Sequence, residues 1–365
     1  MKTTYNPRIN EWLLDKSTIF LNHGSFGACP IEVFNKYQQW QKLIEQQPVK
    51  FFIYTLREEL YSAKKILSSF LNVQTDDLVF VQNATEGVNT VLHSIQWQHG
   101  DEILITNHIY PACRNAIQFY ANRFGVKVKE VQILFPLNSN DEIIQTIIDT
   151  ITNKTRLILL DHIASPTGLL FPIKEIRQQI SNDILILVDG AHAPGAISLD
   201  INELGVDFYT GNCHKWMCSP KGAGFLWIQA KHQDYIYPIN ISLINTVSES
   251  FNERFFWRGT QDPSAWLSIP AAISFLNKIS NNNINTFINQ NIKMNRKMRE
   301  IVSQQLQIPM LCPNEMIATM SAIPIYSNSS ETHNNTIDPM QEWLMQKYNI
   351  EVPIFNWANE AYKLL

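Results

Sequence analysis

The chain has 365 residues, 45% of them hydrophobic, which is enough apolar material for a large core and about two domains. Its formal net charge is −4 at pH 7, and its Lys and Arg residues are scattered, so the composition excludes nucleic acid and anionic membranes as expected partners. We find no membrane-spanning apolar run and no signal core at the amino terminus. Five irregularly spaced cysteines predict neither a disulfide framework nor a metal site and favour the cytoplasm.

Short apolar runs alternate with helix-like stretches through the first two thirds of the chain. The predicted strands are Leu78–Val81, Glu102–Thr106, Arg156–His162, Ile184–Asp189, Val206–Thr210 and Gly224–Ile228. Helix-like segments such as Glu86–Ile95 and Ala112–Arg123 lie between them. This alternation predicts an α/β fold with a mostly parallel sheet covered on both faces. Because such sheets bind ligands at the carboxyl ends of their strands, functional residues are expected there.

Three predicted strands run directly into polar clusters. These clusters are Asn83-Ala84-Thr85-Glu86-Gly87, Asp189-Gly190-Ala191-His192 and Asn212-Cys213-His214-Lys215. The first opens a predicted helix, whose free N–H groups and threonine hydroxyl suit an anion. The chain has neither a Gly-x-Gly-x-x-Gly fingerprint nor a Walker A loop. The phosphate of pyridoxal 5′-phosphate (PLP) therefore fits better than NAD or ATP.

The chemistry that PLP needs is available at two of these clusters. Lys215 has small, apolar and aromatic neighbours, which predicts burial and a lowered pKa, as Schiff-base formation requires. Asp189 closes an apolar strand, where it is either a turn residue or the partner of a pyridinium nitrogen. His192 is either a structural histidine or a contact of the ring's phenolic oxygen.

These residues resemble the class V aminotransferase family of fold-type I PLP enzymes, and within it the isopenicillin N epimerase-like branch. The motifs that carry the resemblance stand in family order: Leu21-Asn22-His23-Gly24-Ser25-Phe26-Gly27, Ala84-Thr85-Glu86-Gly87-Val88-Asn89, Asp189-Gly190-Ala191-His192, Gly211-Asn212-Cys213-His214-Lys215-Trp216 and Trp257-Arg258-Gly259-Thr260-Gln261-Asp262. The resemblance implies a seven-stranded sheet in a large PLP-binding domain (21–270), a smaller α+β domain (271–365), and an N-terminal segment (1–20) packing on the smaller domain.

The resemblance also implies a role for individual residues. Lys215 would hold PLP as a Schiff base and shuttle protons, Asp189 would pair with the pyridine nitrogen, and His192 would contact the phenolic oxygen. Tyr110 would stack on the cofactor ring. Further cofactor contacts would come from Ala84, Thr85, Glu86, Asn212 and His214 and, across the interface of a homodimer with shared active sites, from Gly259 and Thr260. The substrate side would be lined by Asn22, His23, Ser25, Ser165, Thr167 and Arg258.

One family feature is missing from this sequence. The family usually anchors the substrate carboxylate with an arginine close to the C-terminus, yet no arginine follows Arg299. We expect that the chain ends early, that Arg258 or Arg254 replaces the anchor, or that the substrate lacks this carboxylate. Lys363 is a poor substitute because lysine cannot make the bidentate contact.

Several reactions remain open at this point. An amino acid bound to PLP as an external aldimine loses its Cα proton, and the pocket decides which bond is formed or broken next. A lyase (C–S or other β-elimination) or an epimerase is favoured by the resemblance; an aminotransferase is an alternative. A cysteine desulfurase needs a mobile nucleophilic thiol, which the surroundings of Cys312 do not resemble. A catalytically silent binding protein with this fold is the last alternative.

Overall fold

The structure is a computed structural model that describes residues 8–243, 249–326, 337–357 and 362–364. Residues 1–7 of the predicted N-terminal segment lie outside this description. Its strands are β1 (Ile19–Phe20), β2 (Leu78–Val81), β3 (Glu102–Thr106), β4 (Lys127–Val131), β5 (Thr155–Asp161), β6 (Leu185–Gly190), β7 (Phe208–Asn212), β8 (Gly224–Ile228), β9 (Pro324–Tyr326), β10 (Ile350–Glu351), β11 (Phe355–Asn356) and β12 (Tyr362–Leu364).

Helices connect most of these strands. They are α1 (His23–Phe26), α2 (Ile31–Gln46), α3 (Pro48–Lys50), α4 (Leu56–Leu71), α5 (Ala84–Ser94), α6 (Pro111–Phe124), α7 (Asn140–Thr150), α8 (Ile173–Gln179), α9 (Ile201–Leu204), α10 (Phe251–Phe256), α11 (Ser264–Leu267), α12 (Ile269–Ile279), α13 (Ile284–Leu306) and α14 (Pro339–Tyr348). A π-helical turn, Phe51–Thr55, joins α3 to α4. In the described ranges, no helix is long and apolar enough to cross a membrane.

The central sheet has seven strands in the order β2-β8-β7-β6-β5-β3-β4. Strand β8 runs antiparallel to β2 and β7, and the other neighbours are parallel. The predicted fold class, an α/β fold with a mostly parallel sheet, is therefore confirmed. All six predicted strands are present, three of them (β5, β6 and β7) displaced by one or two residues. The edge strand β4 was not predicted.

Side chains from the sheet pack on both of its faces. In β2, Leu78 and Phe80 join one apolar cluster, while Val79 and Val81 join the cluster on the opposite face. This two-sided burial explains the continuous apolar runs of the strands, because neither face meets water. It also leaves the strand ends as the places where polar side chains can collect.

The division into domains is a proposal that two pairings support. Strand β1 pairs in parallel with β10, which joins the N-terminal segment to the C-terminal part of the chain. Strands β9, β12 and β11 form a separate antiparallel sheet. We propose from these contacts that the segment 1–20 packs on a smaller domain (271–365) beside the large one (21–270).

Candidate active site

Lys215 lies just beyond the end of β7, in a loop held tightly to the rest of the chain. The amide of Cys218 donates to the Lys215 carbonyl at 3.0 Å, and His23 Nε2 lies 3.1 Å from the same oxygen. Gly27 has φ +70°, and a Cβ atom there would stand 1.9 Å from the carbonyl oxygen of His214, so only glycine lets these two segments meet. The Lys215 side chain is buried, and its Nζ lies 2.9 Å from His192 Nε2.

Burial lowers the pKa of Lys215 to about 8, although the carboxyls of Asp189 and Asp161 and the Cys113 thiol act in the opposite direction. Burial also lowers the pKa of His192 well below its usual range, and the charges of Lys215 and His214 add to this effect. His192 is therefore neutral at pH 7, so one of its ring nitrogens carries a proton and the other does not.

Trp216 determines which nitrogen that is. Its indole Nε1–H donates to His192 Nδ1 at 3.4 Å, so Nδ1 must be unprotonated and Nε2 carries the proton. The Nε2–H then donates to the Lys215 amine, which can accept only when it is neutral. A neutral His192 cannot accept a hydrogen bond from Trp216 at Nδ1 and another from a protonated Lys215 at Nε2, because one of its two nitrogens carries a proton. The Trp216–His192–Lys215 chain therefore favours the neutral, nucleophilic amine.

Trp216→Phe is expected to raise the pKa of Lys215 by about 0.5–1 pH unit, the equivalent of one ordinary hydrogen bond. The reason is that His192 can then carry its proton on Nδ1 and accept a hydrogen bond at Nε2 from the protonated lysine, which stabilises the charged amine. The pH dependence of covalent PLP uptake measures the shift. Trp97→Phe is the matched control, because Trp97 Nε1 donates to the Leu92 carbonyl, a contact outside this hydrogen-bond chain. Equal midpoints in Trp216→Phe and the parent would show that Trp216 does not influence Lys215.

Asp189 lies at the carboxyl end of β6 and is buried. Its Oδ1 accepts from the Ala191 amide at 2.9 Å, and its Oδ2 accepts from Cys113 Sγ at 3.1 Å. Tyr110, which precedes α6, is 38% exposed, and the pKa of its phenol is raised mainly by burial, with Cys113 and Asp189 contributing. Asp189 is thus an oriented carboxylate beside a partly open aromatic ring, as a pyridinium partner needs to be.

The amino terminus of α5 has free donors beside this carboxylate. Asn83 caps the helix by accepting from the Glu86 amide at 3.0 Å, and the Ala84 amide donates to Asn212 Oδ1 at 2.9 Å. The half-buried Thr85 hydroxyl has no hydrogen-bond partner among the described residues. His214 Nδ1 lies 3.3 Å from the Ala223 carbonyl, and burial lowers the pKa of His214 to about 4. This helix end can hold a phosphate through Thr85, with the Asn212 side chain fixing the Ala84 amide; His214 can donate to it only when the phosphate charge raises the pKa of the ring, because its Nδ1–H already faces the Ala223 carbonyl.

The Glu86 and Arg258 side chains contact each other. The Arg258 guanidinium donates to Glu86 Oε1, and the other Glu86 oxygen accepts from the Gln82 amide at 2.7 Å. Arg258 is buried and lies over the Trp266 ring. A cofactor contact from Glu86 or a substrate contact from Arg258 stays a prediction, and either would require this ion pair to open.

Of the predicted substrate-side residues Asn22, His23 and Ser25, His23 contacts the Lys215 loop directly. Ser25 Oγ donates to Asn22 Oδ1 at 2.5 Å, and both side chains are half-buried. The His23 ring lies 5.1 Å from the Trp216 ring, centroid to centroid. Burial lowers the pKa of His23, so it is a neutral donor to the Lys215 carbonyl.

Ser165 and Thr167 follow β5 and differ in burial and in hydrogen bonding. Ser165 is half-buried, and its hydroxyl has no hydrogen-bond partner in the described part of the chain. Thr167 is buried, and its Oγ1 lies 2.8 Å from His108 Nδ1. The other nitrogen of His108 donates to the Ile133 carbonyl, so the Thr167 hydroxyl must donate to His108. Thr167 can therefore only accept from a ligand.

Gly259, Thr260 and Arg254 make no hydrogen bond to the Lys215 loop among the described residues. Gly259 has φ +109° with open space around it, and Thr260 is exposed. Arg254 donates to the carbonyls of Asp234 and Gln233 at 2.9 and 2.6 Å and is thereby engaged elsewhere.

Three residues of the site were not predicted to have a role. Cys113 contacts Asp189, and Trp216 contacts His192. Asp161 lies beside Asp189 on the neighbouring strand β5. Only Asp161 left a sequence signal: like Asp189, it closes an apolar strand and precedes a histidine. In the described ranges, no group of three or more His, Cys, Asp or Glu residues could hold a metal ion.

A buried lysine beside a histidine, a buried carboxylate at a neighbouring strand end and an open helix amino terminus are the features that a PLP-dependent α/β enzyme needs. The family model for aminotransferase class-V matches residues 30–333, so the chain belongs to that family. The predicted family and the predicted class of enzyme are confirmed.

Known relatives and a solved structure resemble most of the chain. An L-cysteine desulfhydrase of Arabidopsis thaliana is 27% identical over 92% of this chain and 77% of its own length. An isopenicillin N epimerase of Amycolatopsis lactamdurans is 30% identical over 72% of this chain and 70% of its own length. The structure of the cystine C–S lyase C-DES in complex with its reaction product cysteine persulfide superposes with a TM-score of 0.78, at 21% identity, over 96% of this chain and 92% of that one.

Proposed function

We propose that this chain is a PLP-dependent lyase that eliminates a sulfur-containing β-substituent from a cysteine-type amino acid. The observation that carries the proposal is the buried Lys215 amine, with a pKa of about 8, hydrogen-bonded to a neutral His192. The names of the relatives support it, since one is a desulfhydrase and a structurally similar protein is a C–S lyase.

The residues present fit the cofactor. The unpartnered Thr85 hydroxyl and His214 would bind the phosphate, Asp189 the ring nitrogen, His192 the phenolic oxygen, and Lys215 the aldehyde carbon. When bound, PLP supplies an electron sink that acidifies the Cα–H of an amino acid. Asp189, oriented by Cys113 and the Ala191 amide, holds a proton on the ring nitrogen. Lys215 takes the Cα proton as a neutral amine and returns a proton to the departing sulfur.

The cysteines favour a lyase over a desulfurase. A desulfurase needs a reactive thiolate to receive the sulfur. Burial raises the pKa of all five thiols here: that of Cys29 to about 11, and also those of Cys113, Cys213, Cys218 and Cys312. Elimination needs no protein thiolate, because the sulfur leaves with the product.

An epimerase is the second candidate, favoured by the 30% identity to the isopenicillin N epimerase. An epimerase also uses Cα deprotonation, but it must return the proton to the opposite face. Lys215 and His192 are hydrogen-bonded to each other, so the two would act on the same face of the substrate and would not provide a base on each face. Elimination can proceed with that single base, which is why we rank the lyase first.

The test is to incubate the PLP-loaded protein with L-cysteine, L-cystine, S-substituted cysteines and D- and L-amino acids. A lyase releases pyruvate, ammonia and a thiol in equal amounts, with one water consumed. Change of configuration without pyruvate would identify an epimerase, and a keto acid with cofactor conversion an aminotransferase. Alanine with a protein persulfide would identify a desulfurase. PLP binding without turnover of any of these compounds would favour a silent binding protein.

The lysine amine reacts with PLP only when it is neutral. Because the pKa of Lys215 is about 8, the rate of covalent PLP uptake by the apoprotein should rise with pH through about 8 and then level off. An unperturbed lysine would give a midpoint near about 10.4 instead. Stopped-flow absorbance across this pH range measures the midpoint. A rate that still rises steeply above pH 9 would show that Lys215 is not perturbed in this way.

We propose a homodimer in which Gly259 and Thr260 reach the phosphate site of the other subunit. These residues are open to their surroundings and have no hydrogen bond to their own Lys215 loop in the described ranges, which suits a contact in trans. Val49, Ile53 and Tyr54 are each more than 60% exposed, and a second subunit would cover such an apolar stretch. Sedimentation of the PLP-loaded protein tests this assembly, and a monomer with full PLP occupancy would contradict it.

We propose the cytoplasm as the compartment. All five cysteines are free, which suits a reducing environment. Cell fractionation with an antibody to the native protein tests this assignment, and enrichment in an oxidising compartment would contradict it.

A further inference from the structure

Asp161 is a buried acid that the proposed reaction does not use. It is the last residue of β5 and stands in register with Asp189 on the parallel strand β6. Paired residues on parallel strands point to the same face and lie about 4.8 Å apart. The His162 amide donates to the Asp189 carbonyl at 2.8 Å, which holds this register at the strand ends. The two carboxyls are therefore direct neighbours.

Two negative charges cannot both be stabilised at this place. Asp161 is 3% exposed, and its Oδ2 has no hydrogen-bond partner in the described part of the chain. Asp189, by contrast, accepts a hydrogen bond at each oxygen. The ionisable groups that face Asp161 are Asp189 on β6, Cys113 on α6 and Lys215 after β7. Neither acidic group compensates a charge on Asp161, and Lys215, which is mostly protonated at pH 7 with a pKa of about 8, interacts more strongly with Asp189 than with Asp161.

We propose that Asp161 and Asp189 form a carboxyl pair with a single negative charge, in which Asp161 is the protonated member and a positioning residue for Asp189. The hydrogen bonds decide the assignment, since the carboxyl with two donors is the better anion. Burial, and then the charge of Asp189, raise the pKa of Asp161 well above its usual range, although the backbone amides of Tyr110 and Asp161 and the charge of Lys215 act in the opposite direction.

The consequence for the site, which rests on the proposed function, is that the negative charge of the carboxyl pair equals the positive charge of the cofactor ring nitrogen. One anion, Asp189, would face one protonated ring nitrogen, and no second buried charge would remain uncompensated. Asp161 would keep this balance without touching the cofactor. Asp161→Asn, which has the shape of the neutral acid, is then expected to leave PLP affinity within about threefold, whereas Asp189→Asn weakens it by at least about tenfold.

The direct test is ¹³C NMR of the full chain with ¹³Cγ-labelled aspartate, with and without PLP. The Asp161 signal, identified by its loss in Asp161→Asn, should be that of a protonated carboxyl at pH 7. Asp207 is a second buried carboxyl, but hydrogen bonds from His232 and the Ile186 amide lower its pKa despite burial, so its signal should be that of an anion. In Asp189→Asn, the Asp161 pKa should fall, because the neighbouring charge is gone.

An ionised Asp161 at pH 7, or a pKa that does not respond to Asp189→Asn, would overturn the carboxyl pair. So would a loss of PLP affinity in Asp161→Asn as large as that in Asp189→Asn. If Asp161→Asn fails to fold, Asp161→Glu, which also removes the labelled aspartate signal, makes the assignment, and the titration of Asp161 in the parent and in Asp189→Asn still decides. The NMR result without PLP does not depend on the cofactor, so a failure of the carboxyl pair and a failure of the proposed function are distinguishable.

Discussion

Asp189→Asn is expected to lower kcat by about 10²–10³-fold, the size of losing one charged contact that acts in the transition state. The asparagine amide keeps the shape of the side chain but cannot hold a proton on the ring nitrogen, so the electron sink is weakened. Steady-state kinetics of the PLP-loaded variant measure the loss. Asp183→Asn is the control, because Asp183 is exposed and, within the described ranges, its carboxylate accepts a hydrogen bond from Ser181 alone. Unchanged kcat in Asp189→Asn would contradict the assigned role.

Lys215→Ala is expected to abolish the visible absorbance of covalently held PLP and to lower kcat by at least about 10²–10⁴-fold, the typical contribution of a positioned acid–base group. The variant loses both the attachment point and the base that neighbours His192. Lys174→Ala serves as the control, since Lys174 forms an exposed ion pair with Glu203 and has no other polar partner in the part of the chain that the structure describes. Normal turnover with free PLP in Lys215→Ala would mean that another residue supplies the base.

Much of the sheet could be predicted because its strands are buried on both faces. Strands such as β2 and β8 are apolar from end to end, and their predicted bounds match the structure. Strand β4 was missed because Lys127, Lys129 and Glu130 interrupt its apolar residues. As the edge strand beside β3, it can expose these charges to water, a situation that an apolar pattern does not detect.

The site could be predicted only where its residues share a motif. Lys215, Asp189 and His192 follow strands and carry recognisable chemistry. Cys113, by contrast, lies 76 positions from Asp189, and only the packing of α6 on the sheet brings the thiol to the carboxylate. Asp161 ends an apolar strand as Asp189 does, but its position beside Asp189 follows only from the register between β5 and β6. The ion pair between Glu86 and Arg258 likewise depends on tertiary contact.

Lys215 is the residue that we propose binds PLP covalently. The most direct measurement is borohydride reduction of the PLP-loaded protein, followed by proteolysis and mass spectrometry of the lysine-containing peptides. We predict a single pyridoxyl adduct on the peptide that contains Lys215, at close to one per chain. An adduct on Lys221 or on exposed lysines with none on Lys215, or no adduct at all, would contradict the account.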